Sequence, residues 1–168
     1  GDAREKINNI PEKITFDLIY LDGFSPQKCP QLWSVEFLGK VIQKLNTHGY
    51  LITYSSAAAT RKTLRNLGLN IYNIKPDLIS KNLWSNGTIA IKMIEGTQVQ
   101  NNRHLKKLSL MEEEHLLTKA SIPYRDPNLS LSSEDIIQKR VREQLLSSLQ
   151  TSKKWRDKWG MTKSTFNS

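Results

Sequence analysis

Phe16-Asp17-Leu18-Ile19-Tyr20-Leu21-Asp22-Gly23-Phe24-Ser25-Pro26 is a short apolar run that stops abruptly on a carboxylate. Its first half has the length and the Ile, Phe, Tyr and Leu content of a strand buried on both faces, predicted over residues 15 to 21. Asp22-Gly23 can turn the chain, and Pro26 cannot continue a ladder. In open parallel α/β sheets ligands bind beyond the carboxyl ends of the strands. Asp22 therefore stands where such a site belongs.

Working outward from that strand, the pattern alternates. Before it, Asp2 is a good N-cap for a short helical piece bearing Ile7 and Ile10, which Pro11 ends. After it, Trp33, Phe37, Leu38, Val41, Ile42 and Leu45 recur at helical spacing, and His48-Gly49 is expected to terminate that helix with Gly49 in the left-handed cap. Tyr50 to Tyr54 reads as a second buried strand running into Ser55-Ser56-Ala57, followed by a helix from about Ala58 to Leu67. Leu69 to Ile74 and Thr88 to Ile94 read as third and fourth strands, joined by a long polar link over Lys75 to Asn86. Strand–helix alternation implies a parallel sheet with right-handed crossovers, and the last pair, without a helix between them, should be antiparallel.

From Gly96 the character changes. Thr97 to Arg103 is a polar linker, and Ser109-Leu110-Met111-Glu112 reads as a capping box opening a helix to about Lys119. Ile122-Pro123-Tyr124-Arg125-Asp126-Pro127 must be extended. Ser132 is expected to cap a helix through about Leu149, with Ile137, Val141, Leu145 and Leu149 on one face. A basic stretch with two tryptophans, Lys153 to Trp159, follows, and disorder is expected beyond Gly160. The expected division is residues 1–96 as the sheet domain and 97–168 as a basic, mainly helical extension.

The 168 residues carry a net charge of +9, are 38% hydrophobic and include a single cysteine; the mean hydropathy is −0.52. The charge favours an acidic partner, nucleic acid being the commonest. One cysteine excludes an internal disulfide framework and a cysteine-based zinc site, and suits a cytoplasmic protein. No stretch approaches the ~20 apolar residues of a membrane span. His48, His104 and His115 are scattered without metal-ligand spacing, so no metal is expected.

With these residues in view, the chain resembles a family. The run from Phe16 through Lys28, with Pro30, Leu32 and Trp33, is similar to the "LDGFxPxKxPxxW" pattern of the methyltransferase domain of MnmC-type tRNA-modifying enzymes. Gly49 to Ala57 with Arg61, Lys62 and Leu64 looks like that family's second motif. Gly1-Asp2-Ala3-Arg4 resembles its turn at the adenine of the cofactor. Residues 1 to 95 carry the clear resemblance, and the Pro-Tyr-Arg-Asp-Pro loop with its basic helix resembles the extension of single-domain members. The chain opens in that turn, so it reads as the C-terminal portion of the domain, without the glycine-rich loop that receives the methionine part of the cofactor and without the FAD-dependent oxidase domain of bifunctional members.

The resemblance implies a Rossmann-like class I sheet, mostly parallel with an antiparallel last strand, and S-adenosyl-L-methionine as cofactor. It implies methylation of the 5-aminomethyl group of (2-thio)uridine at the tRNA wobble position, with a separate FAD-dependent or GTPase partner supplying the amine. Asp22 becomes the catalytic residue and a cofactor contact; by its local sequence alone it caps a turn equally well. Asp2 and Ala3 would hold the adenine, where Asp2 also serves as a plain N-cap. Gly23, Phe24, Ser25, Pro26, Lys28, Ser56, Tyr124 and Arg125 are the expected substrate contacts. Phe24 either stacks on the base or plugs the core beneath its loop; Lys28 either meets a phosphate or is solvated. Tyr124 and Arg125 form either a lid over the pocket or a clasp fastening the extension to the sheet. Two alternatives stand beside the enzyme: a non-catalytic RNA- or partner-binding module keeping the half-fold, and a nucleotide-dependent oxidoreductase on the same sheet class.

Overall fold

A computed structural model describes residues 1–74, 87–93 and 105–161. Asp2 caps the short helix α1 (Ala3–Lys6), which tightens into a 3-10 turn at Ile7–Asn9. Strand β1 (Phe16–Tyr20) follows, then a 3-10 turn at Pro30–Trp33 and helix α2 (Val35–Gln43), whose first turn is capped by the Ser34 hydroxyl accepting from the Phe37 N–H. Next come β2 (Leu45–Thr53), α3 (Ala58–Asn66), β3 (Leu69–Ile74), β4 (Thr88–Lys92) and β5 (Leu105–Lys107). Three helices follow among the described residues: α4 (Leu110–His115), α5 (Ser133–Leu146) and α6 (Ser152–Lys158).

The five strands form one sheet in the order β1-β2-β4-β3-β5. β1 pairs parallel with β2, with Leu18 opposite Tyr50 and Tyr20 opposite Ile52. β4 is antiparallel to both β2 and β3 and lies between them, so β1, β2 and β3 still run in one direction. The antiparallel last pair expected from the missing helix is present. Leu105–Lys107 adds a further strand, antiparallel to β3, in a part of the chain read from sequence as leading into helices. The link over residues 75–86 and the linker over 97–103 fall outside the described residues.

Helices α2 and α3 bury Phe37, Leu38, Val41, Ile42 and Leu64 against Leu51, Ile71 and Ala90 of the sheet. Residues from beyond the linker enter the same core: Leu108, Leu116, Tyr124 and Ile136. Gly87 enters β4 through a close approach, where a Cβ would stand 2.5 Å from the Thr53 carbonyl oxygen. That leaves room for glycine alone.

Three expectations are corrected. β1 is not buried on both faces: among the described residues it has β2 on one side only, and Phe16, Leu18 and Tyr20 are 41, 44 and 69% exposed. The helix before β2 ends at Gln43 rather than at His48-Gly49, and His48, not Gly49, takes the left-handed conformation, with φ of 64°. Gly49 instead sits inside β2, packed against Asn46 and Leu45.

The third correction concerns α5, which ends at Leu146 and does not bury the stripe of Ile137, Val141, Leu145 and Leu149. Its packed face runs through Ile136, Arg140 and Gln144, one position round the helix. The carbonyls of Lys119, Ala120 and Ile122 in the preceding loop need donors, and Gln144 and Arg140 supply them at 2.7–2.9 Å. Val141 and Leu145 are left in solvent.

Candidate active site

Beyond the carboxyl end of β1, the loop from Asp22 to Cys29 is fixed by its backbone carbonyls. The Trp33 indole N–H donates to Phe24 O at 2.8 Å, and the Tyr54 hydroxyl donates to Gly23 O at 2.9 Å. The N–H groups of Lys28 and Cys29 both donate to Ser25 O. Trp33 is fully buried and meets the Tyr54 ring edge-on at 6.1 Å. The loop is thus nailed to the core while the Asp22, Phe24 and Lys28 side chains are left outside. Such pre-organisation suits a binding site.

Asp22, Gly23, Phe24, Ser25, Lys28, Leu32 and Tyr54 line a cavity of about 530 Å³. That is within the usual range for small-molecule sites. Asp22 and Lys28 are exposed, and the Phe24 ring is 76% exposed. Burial, then the neighbouring Asp22 charge, pushes the Tyr54 phenol above its ordinary pKa, so it remains a hydroxyl donor. Among the described residues no cluster of His, Cys, Asp and Glu side chains could hold a metal ion, and no helix is long and apolar enough to cross a membrane.

The expected site residues do not all come together. Asp22, Gly23, Phe24, Ser25 and Lys28 come together on the cavity. Pro26 is buried in the same loop, and Ser56 is half-buried in the turn after β2, away from the cavity lining. Asp2 is not part of the cavity lining; the helix it caps, α1, lies against the Pro30–Trp33 turn that carries Leu32. Its carboxylate accepts from the Arg4 backbone N–H and guanidinium and is about one-third exposed. Those Arg4 bonds hold its pKa below the usual carboxylate value. Ala3 is exposed next to it.

Tyr124 and Arg125 stand away from the cavity. Tyr124 is 5% exposed, its carbonyl accepts from the Val35 N–H, and the Arg140 guanidinium lies 4.4 Å over its ring. Arg125 is exposed and faces Glu143 at 3.6 Å. Of the two arrangements weighed for this loop, the geometry is that of a clasp.

Tyr54 and Leu32 were not singled out as site residues from sequence. The rule that directed attention to Asp22, the carboxyl end of a strand, applies equally to Tyr54 one strand over.

A family described as S-adenosyl-L-methionine-dependent methyltransferase matches residues 1–82. An uncharacterized protein of Methanocaldococcus jannaschii is 30% identical over 152 residues, which are 89% of this chain and 39% of that protein. The tRNA 5-methylaminomethyl-2-thiouridine biosynthesis bifunctional protein MnmC of Paracidovorax citrulli is 35% identical over 74 residues, 44% of this chain and 11% of that one. The crystal structure of MnmC2 from Aquifex aeolicus superposes with a TM-score of 0.73 at 26% identity, covering 88% of this chain and 44% of that one. The chain thus spans less than half the length of each of these relatives.

Residues 1–82 match the S-adenosyl-L-methionine-dependent methyltransferase family, and the sheet is similar to that of the MnmC2 structure. Within that class the domain is MnmC-like.

The residues present fit the cofactor of this family. Asp2 offers an ionised acceptor of the kind an exocyclic amine requires. The cavity joins a carboxylate to the aromatic side chains of Phe24 and Tyr54, surroundings that suit a positively charged sulfonium.

Proposed function

We propose that this chain takes part in methylating the primary amine of a 5-aminomethyl (2-thio)uridine at the wobble position of tRNA, with Asp22 as the catalytic residue. The observation that carries the reading is the placement of an exposed carboxylate at the end of β1, on a pinned loop, facing a cavity shared with Phe24 and Tyr54.

S-adenosyl-L-methionine supplies an electrophilic methyl group. The substrate amine must arrive neutral and aimed, because its cation has no lone pair to give. Asp22 accepts an amine N–H, which orients the nitrogen lone pair toward the methyl carbon. The cofactor would supply the methyl group to that nitrogen, its C–S bond breaking with the electron pair kept on sulfur. The nitrogen then sheds a proton, which Asp22 accepts directly or passes to solvent. Asp2, beside Ala3, accepts from the adenine amine. Phe24 presents an open ring face on which the uracil stacks. Lys28 at the cavity rim meets a phosphate, and the +9 chain supports tRNA binding that weakens with salt.

A separate flavin-dependent enzyme or GTPase would furnish the aminomethyl group, and such work belongs to the cytoplasm. The basic region from residue 97 onward would add contacts to the tRNA backbone.

The experiment is methyl transfer from labelled S-adenosyl-L-methionine to hypomodified tRNA, using the full natural reading frame. Asp22→Asn is expected to lower kcat by about a hundred-fold or more while tRNA binding persists. Unchanged turnover in that variant removes Asp22 from the reaction.

A further inference from the structure

One charged chain joins the far end of the molecule to the proposed adenine site. Asp126, in the Pro-Tyr-Arg-Asp-Pro loop, is fully buried. Its Oδ1 accepts the N–H groups of Ser130 and Leu131 at 2.9 and 3.0 Å, and its own N–H donates to Glu36 Oε2 of α2 at 2.7 Å. The loop can therefore neither slide nor rotate. Its Oδ2 accepts from Arg4 Nη1 at 2.8 Å, and the same nitrogen donates to Leu131 O. The opposite edge of the Arg4 guanidinium, Nε and Nη2, holds Asp2 Oδ2 at 3.0 and 2.7 Å. Arg4 thus reaches across 122 positions of sequence and is itself 12% exposed.

A loop that needed only fastening would be served by the Ser34–Tyr124 bridge and by Arg140 over Tyr124, both already present. Burying a whole carboxylate is costly unless its charge is used. Here the charge fixes the guanidinium plane, and that plane fixes the direction of the partly exposed Asp2 carboxylate.

Resting on the adenine role proposed for Asp2, we infer that Arg4 and Asp126 are positioning residues for the cofactor: they lock the Asp2 carboxylate for adenine recognition without touching the ligand themselves. The region after the linker would then govern cofactor selectivity as well as stability.

The test is equilibrium binding, by calorimetry on the full natural reading frame, of S-adenosylhomocysteine and of its hypoxanthine counterpart, which carries a carbonyl oxygen in place of the amine. Asp126→Asn and Arg4→Lys are each expected to weaken the adenine ligand by about ten-fold and to narrow the preference for adenine over hypoxanthine. Asp2→Asn, which adds a donor, is expected to narrow it further. Arg65→Gln, which breaks an unrelated ion pair with Glu113, should leave the preference intact.

If Asp126→Asn and Arg4→Lys weaken both ligands equally, or neither, while Asp2→Asn alters the preference, the positioning role is overturned and the adenine reading survives. Should Asp2→Asn leave the preference unchanged, the adenine reading itself fails. Arg4→Lys keeps the question open to measurement if Asp126→Asn does not fold.

Discussion

Asp22 draws its character from neighbours that hold backbone rather than side chain. Trp33 and Tyr54 each donate to a carbonyl of the loop that begins at Asp22, so the carboxylate and the Phe24 ring are left for a ligand. Trp33 read as core from its place in an apolar stripe, and it is; its second task, the indole N–H on Phe24, has no counterpart in a hydropathy pattern. His115 illustrates the same limit. From sequence it was one of three scattered histidines, yet it stacks on Trp155 at 4.2 Å. Burial foremost, then the Arg61 and Arg156 charges, depress its pKa to about 4, with Glu112 opposing.

A histidine whose folded pKa lies below its unfolded value stabilises the protein fully above the unfolded pKa. As pH falls from about 6.5 toward 4 the unfolded chain takes up a proton that the folded one refuses. Chemical denaturation should therefore show a loss on the order of 2 kcal/mol between pH 6.5 and 4.5. His115→Phe should flatten that slope, and an equally steep slope in the variant would contradict the assignment.

At the scale of elements, the strand and helix periods and the capping box were legible because each is a local signal. Ser109 and Glu112 cap α4 reciprocally, as their spacing announces. What sequence does not announce is that Glu112 also reaches Arg61 of α3 at 3.0 Å and Asn73 of β3 at 2.6 Å, all three buried. Arg61 further donates to Thr88 and Gly87 at the start of β4. Burial raises the Glu112 pKa, but the bonds from Ser109, Asn73 and Arg61 outweigh it and leave the pKa lowered. Glu112→Gln should cost about 3 kcal/mol in urea unfolding, because a buried guanidinium loses its counter-charge. Glu113→Gln, whose pair with Arg65 is more than one-third exposed on both sides, should cost under about 1 kcal/mol. Equal costs would mean that the buried pair is not what holds α4 to the sheet. The face of α5 was misread for a related reason: the donors its neighbouring loop demands outranked the stripe of aliphatic side chains.

Across the whole molecule, the open side of β1 is the feature that most affects behaviour. Phe16, Leu18 and Tyr20 share one face of an edge strand, and helices α2 and α3 cover the other side of the sheet. Long apolar edges pair with other chains, and lysine on an edge suppresses this. The 168-residue chain by itself is expected to associate in sedimentation velocity at micromolar concentration, and Leu18→Lys to shift it toward monomer. A monodisperse monomer before any substitution would show that the edge is inert. Hydrophobicity alone reads this strand as buried on both faces, because it does not say which neighbours are present.

The claim at the centre of this account is that the Asp22 cavity methylates a uridine amine. It is tested most directly by locating the label after transfer from S-adenosyl-L-methionine to hypomodified tRNA. The account predicts label in the wobble nucleotide, none in a tRNA with that base substituted, and little with Asp22→Asn. Label elsewhere in the tRNA, or none from a folded protein that binds tRNA, would contradict it.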